Sequence, residues 1–252
     1  MVRTLLLRGM LAGLIAGLLT FGFLKIFGEP PIDRAIAFES RISAESHHAS
    51  GAAAEPDDEL VSRPVQSGVG LLTGVLVYSA AFGGLFGLAF AAVTGRAGSL
   101  GPRGTATLLA GAGFVAIYLV PALKYPASPP SVGQADTIQF RTALYFGMIL
   151  VSVAGMIGTA LLRGRLLRRF GGWDATLLAA LAYGALMFAA GAVLPDVNEV
   201  PEHFPAVTLW QFRIASMGSQ VVLWASLGLL FGLLTERHSI AARRPRLASR
   251  AV

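Results

Sequence analysis

The chain contains no cysteine, which excludes disulfides, thiolate zinc sites, iron–sulfur clusters and cysteine nucleophiles. Lysine is nearly missing: Lys25 and Lys124 stand against 18 arginines. Charge of either sign is scarce, at 13% of 252 residues, where a soluble domain carries about a quarter. So few charges cannot cover a folded surface in water, which argues against a soluble enzyme or a DNA-binding domain. Motifs are missing too. There is no GxxxxGK[ST] phosphate loop, so the chain is not expected to hydrolyse ATP. No HExxH, GxSxG or clustered catalytic dyad stands out, so no enzyme is expected.

What is present is apolar: 54% of the residues are hydrophobic. A bilayer core of roughly 30 Å needs about 20 mostly apolar residues per helix. Six stretches qualify, at about 4–27, 68–94, 104–123, 139–162, 174–194 and 209–235. The first is long, lacks a small-x-small cleavage signal and is followed by five more, so it reads as a retained helix. The expected fold is all-α, a polytopic membrane helix bundle of about six transmembrane helices. It would form one transmembrane domain over 1–236, with an acidic outer loop at 28–67 and an Arg-rich cytoplasmic tail at 237–252.

The linkers set the orientation. With the amino terminus in the cytoplasm, thirteen of the 20 basic residues and only two of the 14 acids, Asp174 and Glu236, fall inside. This positive-inside bias puts both termini in the cytoplasm of a cell inner membrane. It also explains the net charge of +6 without nucleic acid, because the basic groups flank apolar spans in short loops.

Two outer loops look like copies. Pro121, Pro126, Pro129 and Pro130 precede Gln139-Phe140-Arg141, and Pro195, Pro201 and Pro205 precede Gln211-Phe212-Arg213. Glu29-Pro30-Pro31 with Arg63-Pro64-Val65-Gln66 reads as a third, more diverged copy. The architecture would then be three helical hairpins entering from the same side, as in same-orientation transporter repeats. Glycines spaced by four (Gly9, Gly13 and Gly17; Gly70 and Gly74; Gly83 and Gly87; Gly228 and Gly232) suit close helix packing. A glycine-lined conduit is the alternative use. No ionisable residue lies mid-span, which argues against a proton-driven antiporter within this chain.

The polar chemistry gathers outside. The loop 28–67 holds eight acids and the pair His47-His48, and the loop 195–208 holds Asp196, Asn198, Glu199, Glu202 and His203. Imidazole and carboxylate suit borderline dications when thiolates are unavailable. His203, Glu202, Glu199, Asp196, His47 and His48 are therefore candidate metal ligands. Against this, 43–59 is small, polar and acidic, as a solvated loop would be. Arg213, Arg141, Asn198 and Glu29 are structural or gating candidates. Each arginine either snorkels to the headgroups or pairs with an outer-loop acid that holds the loop.

Several stretches resemble the CbtA family of cobalt transporter membrane subunits. They are Glu29-Pro30 with Ile32-Asp33, LVSRPVQSGVGLLTGVLVYSAAFGGLFGLAF at 60–90, YLVPALKYPASPPSVG at 118–133, RTALYF at 141–146 and LPDVNEVPEHFPAVTLWQFRIAS at 194–216. The resemblance implies a multi-pass subunit in cobalt uptake, with a small single-span CbtB-type partner. The reading is a permease subunit for a divalent transition metal, cobalt before nickel, with no permanently bound cofactor. Its partners would be the bilayer, the CbtB-type subunit and further copies of itself. The rival is a structural or assembly subunit with no transport of its own.

Overall fold

The computed structural model describes residues 2–50, 61–96 and 100–248, the side chains of 46–50 and 238–248 excepted. Among the described residues every regular element is helical. Six helices are long and apolar enough to cross a membrane: α1 (Val2–Glu45), α2 (Arg63–Val93), α3 (Pro102–Lys124), α4 (Ile138–Leu166), α5 (Gly172–Val193) and α6 (Ala206–Arg237). Their outer surfaces keep large apolar side chains exposed, Trp173 at 80%, Phe188 at 81% and Val193 at 85%. Water would make such faces unfavourable, whereas lipid tails match them.

The six apolar runs coincide with these helices, and the largest departure is at the end of α1. The segment 28–67, read as an acidic loop, is helical in its first part, Glu29–Ser50. Pro30 and Pro31 look like helix breakers, since each lacks an N–H and its ring crowds the carbonyl four residues back. A π-helical turn, Leu24–Gly28, resolves this just ahead of them: the Glu29 N–H reaches five residues back to the Leu24 carbonyl. The prolines then sit at the start of a fresh helical register, where proline is tolerated. The same device precedes Pro121 in α3. There Phe114–Leu119 is π-helical and the Val120 N–H bonds Val115 O. A third π turn, Gln66–Gly70, lies near the start of α2. His47 and His48 fall at the end of the Glu29–Ser50 helix, and their side chains lie outside the described residues.

The chain divides into two compact units, Met1–Gly111 with Ile214–Val252, and Ala112–Arg213. In the first, α1 and α2 touch backbone to backbone. A Cβ added at Gly9 would lie 2.0 Å from the Gly83 carbonyl oxygen, and one at Gly13 would lie 2.1 Å from that of Ser79. The reverse holds as well, with a Cβ on Gly83 2.1 Å from Gly9 O and one on Gly87 2.5 Å from Leu5 O. These glycines therefore serve helix packing. Phe231 continues the core, edge-on to Phe86 at 5.3 Å and Phe90 at 4.9 Å between ring centroids, a favoured aromatic geometry.

The second unit is built around Met148, Tyr183 and Met187, with Met156 and Val115 packed against them. Ser152 and Tyr183, polar groups at membrane depth, satisfy each other through a 2.7 Å hydrogen bond. In an apolar surround this removes the desolvation cost that either hydroxyl would carry alone.

Candidate functional site

The second unit carries the two proline-rich loops, and they close on each other. Pro129 to Val132 makes a turn in which the Val132 N–H donates to Pro129 O at 3.2 Å, with Pro130 inside the turn and Ser131 at φ +68. Gly133 follows at φ +112, a conformation open to glycine. A Cβ there would sit 2.3 Å from an Arg141 guanidinium nitrogen, so a side chain at this position would also push the arginine off the loop. Arg141, in the first turn of α4, then reaches back over the loop. Its Nη2 donates to Gln134 O at 3.1 Å, and its Nε lies 3.3 Å from Glu199 Oε2. The Gln134 N–H donates to that same carboxylate oxygen at 2.7 Å. One residue's main chain thus ties both loops through a paired acid and base.

Two further contacts fasten the loops. Lys124, the last residue of α3, pairs with Asp196, and the Tyr125 hydroxyl donates to Pro195 O at 2.8 Å. The Glu199 carboxyl is held below its usual range by the Gln134 N–H first, then by the Thr137 side chain and Arg141, with burial opposing. Of the two arginines, Arg141 makes an ion pair with a loop acid. Arg213 differs: its Nε donates to Ala127 O at 3.4 Å, and among the described residues no carboxylate lies within the 4.0 Å of an ion pair. Both arginines, with Glu199 and Asn198, line a cavity of about 450 Å³.

Glu202 and His203 lie exposed on the turn closed by Phe204 N–H to Pro201 O at 3.0 Å. Asp196, Glu199, Glu202 and His203 are neighbours in sequence but do not converge. Among the described residues no group of three or more His, Asp or Glu side chains is placed to hold a metal ion. The Lys124–Asp196 pair escaped the reading of the sequence, although its 72-residue spacing equals that between Arg141 and Arg213 and between the two QFR triplets. Contacts between equivalent positions of the two loop copies were the available signal.

In the first unit Glu29 is buried, at 7% exposure. Arg63 bridges it at 2.5 Å and Asp33 at 2.8 Å. Lys25 donates to Ser67 O at 3.0 Å. Lys25 lies on the π turn of α1 with Glu29 directly after it, and Ser67 lies on the π turn of α2 with Arg63 three residues before it.

Six helices long and apolar enough to cross a membrane define an integral membrane protein of the multi-pass class. The model of the CbtA family, described as "Probable cobalt transporter subunit", matches residues 2–236. The chain belongs to that family. No curated protein and no solved structure matches it.

Proposed function

We propose that this chain is an inner-membrane permease subunit for the uptake of a divalent transition metal, cobalt before nickel, with both termini cytoplasmic. The observation that carries the reading is the family match across residues 2–236. The charge asymmetry of the linkers supports the orientation. In this reading the loop between α5 and α6 meets the ion first. Glu202 and His203 are exposed there, and Asp196 and Glu199 join when the cation displaces their Lys124 and Arg141 partners. Carboxylate and imidazole are suitable donors for such a cation. A small single-span CbtB-type subunit completes the pathway, which fits a chain whose spans hold no ionisable residue at their centres.

The test is radiolabelled cobalt uptake into proteoliposomes, with and without the single-span partner. Uptake in the presence of partner is expected. Absence of uptake in both preparations removes the permease reading and leaves an assembly subunit. For the loop, the double variant E202A/H203A is expected to weaken cobalt binding while leaving the Arg141–Glu199 tie in place. Unchanged affinity would take the loop out of the mechanism.

A further inference from the structure

The cavity between the outer loops of the second unit has the wrong sign for a cation. It is lined by two guanidinium groups and one carboxylate, and that carboxylate is consumed: Glu199 accepts from the Gln134 N–H and pairs with Arg141. Arg213 is half-buried at the cavity wall, with a single long hydrogen bond from Nε, and among the described residues its two Nη groups have no partner. The start of α4 adds to this. Ile138 and Thr142 line the same cavity, and Thr137 at the N-cap makes no capping hydrogen bond. The first N–H groups of a 29-residue helix then present the positive end of its dipole at the cavity wall.

We infer that this cavity is a binding site for an oxyanion-bearing ligand, held by the Arg213 fork with help from Arg141 and the start of α4. A guanidinium presents paired N–H donors matched to carboxylate or phosphate oxygens. The volume of about 450 Å³ falls in the range of small-molecule sites and accommodates a tricarboxylate. Anion binding here goes beyond the proposed cobalt transport and can be measured without metal. The same oxygen chemistry has two sources, a soluble small carboxylate or phosphate and the phosphodiester of an anionic lipid headgroup.

The experiment uses the full chain in nanodiscs of phosphatidylcholine, without metal, titrated calorimetrically with citrate and with inorganic phosphate. A parallel set is made in discs containing phosphatidylglycerol. Saturable citrate binding in the neutral discs is expected, weakened about tenfold or more in R213Q. R213K, which keeps the charge but loses the fork, should fall between. It carries the test if R213Q does not fold. Citrate binding lost in phosphatidylglycerol discs, together with an Arg213-dependent rise in melting temperature there, assigns the same site to a lipid headgroup. Citrate binding of equal strength in the wild type and both variants overturns the inference. So does an absence of binding in neutral discs with no Arg213-dependent response to phosphatidylglycerol.

Discussion

Replacing Gly83 by alanine adds one methyl group where α1 and α2 already touch. The new Cβ would lie 2.1 Å from Gly9 O and 2.9 Å from Gly13 Cα. Both neighbours are backbone, so no side-chain rotation relieves the clash and the helices must separate by more than an ångström locally. Gly9, Gly13, Gly83 and Gly87 interlock along one seam, so the separation spreads to contacts beyond the mutated position. Overpacking of this kind costs about 1–3 kcal/mol. Gly74 on the same helix is the control: its added Cβ meets no atom within 4 Å, and alanine is the better helix former by about 1 kcal/mol. The expected order of stability is G74A at or above wild type, then G83A and G9A below it. Because Gly9 and Gly83 share one contact, the double variant should cost less than the sum of the two. The assay is unfolding of purified protein in mixed micelles, followed by tryptophan fluorescence as the denaturing detergent fraction rises. The same measurement separates packing from a conduit. A methyl group in an open glycine-lined path would slow transport without loss of stability, so a G83A protein as stable as G74A would falsify the packing argument.

Three shorter predictions concern the ion pairs and the loops. Gly133→Ala combines a disfavoured φ of +112 with a Cβ 2.3 Å from the Arg141 guanidinium; it should cost about 1–3 kcal/mol and open the 125–137 loop to limited proteolysis, whereas an unchanged cleavage rate would count against the geometry. The Glu199 carboxyl is depressed below its reference value of 4.5, so its contribution is fully present above about that pH and is lost as the pH falls through the lower folded value. Acid-induced proteolysis of this loop should therefore be steep in the wild type and flat in E199Q, and identical acid profiles would refute the assignment. Arg63→Gln leaves the buried Glu29 carboxylate facing Asp33 without a counter-charge, at about 3 kcal/mol in the micelle assay. R63Q/E29Q should recover much of that, and no recovery would show that Arg63 acts through packing instead.

The spans were legible because a run of about 20 apolar residues needs no tertiary information to be read as a crossing helix. The ends of the spans were legible only where no exception to local rules intervened. Pro30-Pro31 followed by acidic residues reads as a turn. It is the π turn at Leu24–Gly28, invisible to propensity, that lets the helix continue through Glu29–Ser50. The glycine seam showed in the spacing of Gly9, Gly13, Gly83 and Gly87, but that α1 pairs with α2 through it is a tertiary fact. At the two proline-rich loops, residue type was legible and pairing was not. Sequence placed Asp196, Glu199, Glu202 and His203 within eight residues. The fold sends Asp196 to Lys124 and Glu199 to Arg141 and Gln134, and leaves Glu202 and His203 on a separate turn. Arg141 and Arg213 look alike in their repeated triplets, yet only Arg141 has a carboxylate partner among the described residues. One loop between them supplies one Glu199, and Arg141 takes it.

That division of charge bears on how a cation would be chosen. In the second unit Asp196 and Glu199 are each paired with a protein cation, and in the first unit Glu29 and Asp33 share Arg63. Under the proposed role a metal met first by the exposed Glu202 and His203 must displace an ammonium or guanidinium group to gain the paired carboxylates as well. Sodium or potassium carries one charge and gains little over the lysine or arginine it would replace. A transition-metal dication carries two charges and can add an imidazole, which a protein cation cannot do, and His203 stands exposed a few residues from the paired acids. Displacement by a dication would free Lys124 or Arg141 and make the neighbouring Arg213 cavity more positive. Metal capture and oxyanion binding at these loops would then reinforce each other, and a metal arriving as its carboxylate complex would satisfy both at once.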